Sequence, residues 1–196
     1  MSVLLIAGSP SERSRTAALL EATGQRLESR GVQVQRLRVR DLNPQALLLA
    51  DFGHPSVLAA QEQVAQASVL VVATPVYKAA YSGILKVFLD LLPQTALKGK
   101  TVLPLATGGS PHHMLALDYA LRPVLQSLGA KHILPGIYAT DAQVIVTSEG
   151  TYKVADGIGS RLDEAVDTLV VENLIQGLSN AGRFQSVPFS EVRCSV

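Results

Sequence analysis

Short apolar runs recur along the chain, separated by stretches in which apolar residues repeat with a helical period. Five of these runs have the length and the content of β-branched residues that are typical of strands. They lie at residues 3–7, 32–39, 69–73, 101–106 and 133–138. The chain is 47% hydrophobic and 17% charged, a balance that leaves room for strands covered on both faces, as in a parallel sheet. The pattern therefore predicts an α/β fold.

Five helices are predicted between and after these strands. Their bounds are 14–30, 55–67, 83–92, 115–128 and 162–178. In the first, Ala17, Leu20 and Leu27 share one face, and Gly31 follows as a C-terminal stop. Alternation of strands and helices predicts right-handed crossovers and a three-layer sandwich, in which ligands bind beyond the carboxyl ends of the strands.

Three prolines interrupt these elements. Pro104 and Pro135 fall inside the fourth and fifth strands, where proline removes a ladder donor, so we expect a local bulge. Pro123 leaves the carbonyl of Tyr119 without its partner four residues on, so the fourth helix must kink or widen into a π-bulge. A simple kink would keep Tyr119 in the core, whereas a π-bulge would turn it outward at a subunit interface.

Composition narrows the class of protein. The 196 residues include 17 Lys and Arg against 16 Asp and Glu, a net charge of +1 that would gather neither nucleic acid nor anionic lipid. Cys194 is the single cysteine, which excludes an internal disulfide and fits a reducing cytoplasm. The run at 3–7 is too short to span a membrane. We expect one domain over residues 1–178, followed by a loosely packed tail over 179–196.

The loop after the first strand has the chemistry of an anion site. Residues 7–16 read Ala-Gly-Ser-Pro-Ser-Glu-Arg-Ser-Arg-Thr and run into the first helix. Backbone N–H groups at a helix N-terminus, together with hydroxyl and guanidinium donors, can hold a phosphate dianion. The alternative is an ordinary helix cap with exposed arginines. The loop has neither the Gly-x-Gly-x-x-Gly of a dinucleotide fold nor the Gly-Lys-Ser/Thr of a P-loop.

Two further loops end strands at the same edge. Residues 74–83 read Thr-Pro-Val-Tyr-Lys-Ala-Ala-Tyr-Ser-Gly, which offers backbone donors and flat side chains to a planar ring, although the tyrosines could simply pack. After the fourth strand, Gly108 and Gly109 let a ligand approach the main chain. In a sheet of order 2-1-3-4-5, the loops after strands one, three and four surround the point where the strand order reverses. The three loops therefore predict one shared site.

These motifs resemble those of the NADPH-dependent FMN reductases, over roughly residues 1–178. Residues 71–93 and 103–125 are similar in particular to the FMN reductase component of two-component alkanesulfonate monooxygenase systems. The resemblance implies a flavodoxin-like fold, FMN as a substrate or a loosely bound cofactor, NADPH or NADH as the hydride donor, and a homodimer or homotetramer. It also implies that reduced flavin passes to a partner monooxygenase in sulfur acquisition.

The resemblance also nominates binding residues. The first loop would hold the phosphate, the second would line the edge of the isoalloxazine ring and the third would contact the ring system. The nominated residues are Ser9, Ser14, Arg15 and Thr16, then Pro75, Val76, Tyr77, Lys78, Tyr81 and Ser82, then Thr107, Gly108, Gly109 and Ser110. An outward Tyr119 would influence how readily FMN leaves.

The expected mechanism needs no catalytic side chain. Hydride passes directly from nicotinamide to flavin, so the site is a binding site. We expect no metal, because His112 and His113 point to different sides of a helix and no acidic or thiol partner is suitably spaced. Two alternatives stay open. One is a quinone, azo or chromate reductase that keeps its FMN, and the other is a flavodoxin-type electron carrier, although such carriers are usually strongly acidic.

Overall fold

A parallel sheet forms the middle layer of the protein, in a computed structural model that describes residues 2–147 and 151–181. Its strands are β1 (Ser2–Ala7), β2 (Gln33–Arg38), β3 (Val69–Tyr77), β5 (Thr101–Gly108) and a last strand in two pieces, β6 (His132–Ile133) and β7 (Ile137–Thr140). They lie in the order β2-β1-β3-β5, with β6 and β7 beyond β5, and every one of these pairs is parallel. A short β4 (Ala80–Tyr81) turns back antiparallel on the end of β3. The predicted strand order is confirmed.

Helices cover both faces of this sheet. One face carries α1 (Arg15–Ser29) and α6 (Asp156–Ala181), and the other carries α2 (Pro44–Leu48), α3 (Pro55–Gln66), α4 (Gly83–Asp90) and α5 (Arg122–Ser127). Side chains of β1 alternate between the two cores, with Leu4 and Ile6 in one and Val3 and Leu5 in the other. Burial on both faces explains why β1, β3 and β5 have few polar positions, whereas the edge strand β2 is mostly polar and exposed.

One helix begins well before its predicted start, and another was not predicted. α6 begins at Asp156 instead of residue 162, because Gly157 and Gly159 weaken the helical signal of its first turns. The five-residue α2 was not predicted. It is capped by Asn43, whose side chain accepts the N–H of Ala46.

The break in the last strand lies opposite Pro104. Pairing with β5 stops after Ile133 and resumes at Ile137, so four steps on the last strand oppose three on β5, which is a bulge. The carbonyl of Val102 accepts a 2.9 Å hydrogen bond from the last strand, so Pro104, two residues on, turns its missing N–H toward the same neighbour. The expected bulge therefore surrounds Pro135, while β5 itself pairs without interruption with β3.

The fourth predicted helix widens around Tyr119. Leu117–Leu121 is a π-helix, and the N–H of Arg122 donates to the carbonyl of Leu117, five residues back. Pro123 then falls in the first turn of α5, where a missing N–H breaks no intrahelical bond. The side chain of Tyr119 is 79% exposed. The predicted widening is confirmed, and the alternative that kept Tyr119 in the core is wrong.

Two other expectations concern membrane-spanning segments and the C-terminal tail. Of the helices in the described residues, none has the length and apolar character needed to cross the bilayer. Most of the predicted tail, including Cys194, lies outside the described residues. The division of the chain at residue 178 stays a prediction.

Candidate functional site

Three loops meet in one cavity of about 270 Å³ at the carboxyl edge of the sheet. They follow β1, β3 and β5, as the strand order requires. The wall consists of Ser9, Ser11, Arg13, Ser14, Arg15, Thr16, Pro75, Val76, Tyr77, Thr107, Gly108, Gly109, Asp141 and Tyr152. Ten of these fourteen residues were nominated from the sequence, so the fold brings the predicted loops together.

The first loop ends at a capped helix start. Ser14 is the N-cap of α1, and its hydroxyl accepts an N–H of the first turn at 3.0 Å. Arg15 and Thr16 are the first two residues of α1, and backbone N–H groups at these positions have no acceptor within the helix. Ser9 is buried, and its hydroxyl accepts the N–H of Ser11 at 3.2 Å, which curls the loop. First-turn N–H groups at the positive end of the helix dipole suit an anion.

The two arginines of this loop have different partners. Nε of Arg15 donates to the carbonyl of Val144 at 3.1 Å, and its Nη1 lies 3.7 Å from the carboxylate of Asp141. Arg13 is exposed and forms no ion pair with any residue that the structure describes. One guanidinium is thus held by the segment after β7, while the other can move toward a ligand.

Buried hydroxyl groups join the three loops. Oγ1 of Thr16 and Oγ1 of Thr107 lie 2.5 Å apart, which links the first loop to the third. The hydroxyl of Ser82 donates to the carbonyl of Gly8 at 2.5 Å, and its N–H donates to Oγ1 of Thr74 at 2.9 Å, which links the second loop to the first. Ser82 therefore lies behind the wall.

The two glycines of the third loop have different surroundings. A Cβ on Gly108 would lie 2.4 Å from Oη of Tyr138, so this glycine makes room for the tyrosine. A Cβ on Gly109 would meet only Asp141, at 3.8 Å, so bare backbone faces the cavity there. The hydroxyl of Tyr138 donates to the carbonyl of Ser110 at 2.6 Å. Burial, with a smaller effect of Asp141, raises the pKa of Tyr138, which keeps it a donor.

A two-residue turn forms the tip of the second loop, between β3 and β4. Lys78 and Ala79 have φ values of 50° and 62°, the conformation of a type I′ turn. Tyr77 is half exposed at the mouth of the cavity, whereas Tyr81 packs against the core and burial raises its pKa. The nominated residues outside the wall are Lys78, Tyr81, Ser82, Ser110 and Tyr119.

Asp141 and Tyr152 complete the wall and were not nominated. Asp141 directly follows β7, and its N–H donates to the carbonyl of Gly108 at 3.2 Å. Its position after the fifth strand was a signal that could have found it, because that strand ends at the same edge. Tyr152 belongs to an antiparallel hairpin of β8 (Val144–Val146) and β9 (Tyr152–Val154), whose three-residue strands are too short to stand out in the apolar pattern.

Comparison with known proteins identifies the family. The family model described as NADPH-dependent FMN reductase matches residues 1–144, which include all three loops. The chain belongs to this family. As a member of the NADPH-dependent FMN reductases it is an oxidoreductase, as the sequence predicted.

Individual relatives agree with this assignment. An FMN reductase (NADPH) from Pseudomonas putida is 51% identical over 173 residues, which cover 87% of this chain and 87% of the relative. The crystal structure of an NADH:FMN oxidoreductase in its apo form matches with a TM-score of 0.78 and 44% identity, over 87% of this chain and 89% of that chain. A flavodoxin from Streptococcus pneumoniae shares the fold, with a TM-score of 0.60 and 12% identity over 87% and 98% of the two chains. The flavodoxin-like fold predicted for this FMN reductase family member is therefore confirmed.

Proposed function

We propose that this protein binds FMN in the cavity between the three loops and transfers hydride to it from NADPH or NADH. The proposal rests on one observation, which is that the two ends of the cavity have different chemistry. One end has hydroxyls, arginines and the N-terminus of α1, and the other has bare backbone and flat side chains. A flavin mononucleotide has the matching parts, a phosphate dianion and a planar ring.

The wall residues divide by the part of FMN that they suit. Ser14, Arg15 and Thr16 would hold the phosphate through the first turn of α1. Tyr77 and Gly109 would border the ring, the first with a flat side chain and the second with exposed backbone. FMN, when bound, supplies the hydride acceptor, so the protein has only to orient the ring and leave one face open to nicotinamide.

Steady-state oxidation of NAD(P)H with FMN as the varied substrate tests this function. We expect turnover that saturates with FMN and needs no other acceptor. Turnover that requires an added quinone or azo compound would favour a reductase that keeps its FMN. Failure to oxidise NADPH or NADH with any acceptor would favour an electron carrier. Running NADPH and NADH in parallel decides the preferred donor, since one relative is an FMN reductase (NADPH) and another is an NADH:FMN oxidoreductase.

We further propose that the reduced flavin serves a monooxygenase of the alkanesulfonate type. The support is the resemblance at residues 71–93 and 103–125, which include the second loop and the π-helix. The test combines the protein with such a monooxygenase, NAD(P)H, FMN and an alkanesulfonate. Sulfite release that depends on every component is expected. If sulfite is released no faster with the protein than without it, the proposed partner is wrong.

A homodimer or homotetramer that uses the π-helix is also proposed. Met114, Leu115 and Tyr119 expose 55%, 54% and 79% of their surfaces around this helix, which packs against β4 beside the half-exposed Tyr77. A contiguous apolar surface of this kind favours association. Sedimentation at micromolar concentration should show a dimer or a tetramer. A monomer would contradict the proposal.

A further inference from the structure

Asp141 places a carboxylate in a wall that otherwise suits an anion. The other charged wall residues, Arg13 and Arg15, are both cationic. The position of Asp141 is fixed, because its N–H donates to the carbonyl of Gly108 at the end of β5. Its Oδ2 lies 3.7 Å from Nη1 of Arg15 and would lie 3.8 Å from a Cβ on Gly109. The carboxylate thus lies between the first loop, at the N-terminus of α1, and the third loop.

The ion pair with Asp141 is not what fixes Arg15. Nε of Arg15 already donates to the carbonyl of Val144 at 3.1 Å, which holds the guanidinium to the hairpin. The ion pair itself is long, and its side chains are 39% and 50% exposed. Such a pair contributes little to stability. The main effect of Asp141 is therefore electrostatic, and it acts on whatever occupies the cavity.

We propose that Asp141 lowers the affinity of the cavity for FMN, so that flavin exchanges as a substrate. The carboxylate repels the phosphate dianion and competes with it for the guanidinium of Arg15. A neutral side chain at this position would make the same backbone contact and leave a more cationic wall. The inference rests on the proposed function, because it takes FMN as the occupant of the cavity.

The test is the substitution Asp141→Asn, which keeps the shape of the side chain and removes its charge. Quenching of flavin fluorescence at low ionic strength should show an FMN dissociation constant lower by roughly three- to tenfold. The difference between variant and wild type should shrink as salt is added, since salt screens partly exposed charges. Asp141→Glu, which retains the charge, should bind FMN as weakly as the wild type.

Riboflavin, which has the ring of FMN but no phosphate, separates charge from shape. Its dissociation constant should change by less than about twofold in Asp141→Asn, which corresponds to about 0.4 kcal/mol. Equal tightening of riboflavin and FMN would overturn the proposal, and so would an FMN affinity that is unchanged or weaker.

A matched control is Asp167→Asn, at an exposed aspartate that pairs with Nε of Arg30 at 2.7 Å outside the cavity wall. It should leave FMN affinity unchanged, and equal tightening in this control would also overturn the proposal. Wild-type turnover with FMN is measured separately. If turnover is present and Asp141→Asn has no effect, only the role of Asp141 fails, whereas absent turnover and absent FMN binding refute the proposed function.

Discussion

Arg15 is the residue whose loss should weaken FMN binding most directly. Its guanidinium lies in the wall beside the first turn of α1, and a charge-assisted hydrogen bond contributes about 1.5–3 kcal/mol. Arg15→Ala should therefore raise the FMN dissociation constant by roughly tenfold or more, measured by flavin fluorescence. Arg30→Ala is the control, because Arg30 pairs with Asp163 and Asp167 outside the wall. Unchanged affinity in Arg15→Ala, with a loss in Arg13→Ala, would move the phosphate contact to Arg13.

Tyr138 supports the third loop from behind the wall. Tyr138→Phe removes the hydroxyl that donates to the carbonyl of Ser110, and an unpaired polar group of this kind costs about 1–3 kcal/mol. We expect the free energy of unfolding to fall by about 1 kcal/mol in urea denaturation, and FMN binding to weaken a few-fold. Tyr77→Phe is the control for stability, since Tyr77 is half exposed and donates no hydrogen bond within the described residues. An equal loss of stability in both variants would contradict a supporting role for Tyr138.

At the scale of single elements, the turn between β3 and β4 carries backbone strain. A non-glycine residue in the left-handed region costs roughly 1–2 kcal/mol, while glycine loses about 0.4–1 kcal/mol more chain entropy on folding than alanine. Ala79→Gly should thus stabilise the protein by up to about 1 kcal/mol in chemical denaturation. Ala80→Gly, one residue later in β4, should destabilise it instead. Destabilisation by both substitutions would show that the turn is not strained.

The π-helix is the second element with a testable role. Tyr119→Ala removes its most exposed side chain, which we propose lies at a subunit interface near the flavin. Sedimentation should show a smaller oligomer, and FMN affinity and turnover with free flavin should change by more than about twofold, or about 0.4 kcal/mol. Phe52→Ala, at an exposed aromatic residue in the loop before α3, is the control for lost apolar surface. If Tyr119→Ala keeps the oligomeric state of the wild type, and its FMN affinity and turnover both stay within twofold, the tyrosine has no such role.

Elements with a strong local signal could be predicted from the sequence. The central strands β1, β3 and β5 were visible because burial on both faces excludes polar residues, and the π-helix followed from the fixed chemistry of Pro123. A bulge was anticipated from Pro104 and Pro135, but only the pairing shows that it lies in the last strand around Pro135 while β5 stays regular. The hairpin of β8 and β9 was missed, since its two strands have only three residues each.

At the scale of the whole molecule, the candidate site could be predicted only as far as it depends on strand order. The three loops converge because parallel strands end at one edge. The contact between Arg15 and Val144 joins positions 129 residues apart, and the hydroxyls of Thr16 and Thr107 are separated by 91. No periodicity encodes such pairs. The electrostatic character of the cavity, with Asp141 opposite Arg15, therefore required the structure.

The hydrogen bonds that hydroxyl groups make between the loops should also affect the rate of flavin exchange. Because Thr16 is joined to Thr107, and Ser82 to Gly8, the three loops are already connected in the part of the chain that the structure describes, and we expect none of them to close over an arriving ligand. Association should then be a single step that is limited by encounter and alignment, without a conformational gate. In stopped-flow mixing, the observed rate constant should rise in proportion to FMN concentration. A plateau at high FMN would instead reveal a slow rearrangement. We expect a cavity of this kind to release flavin at a rate set by charge, so that each turnover would deliver reduced FMN without a separate opening step.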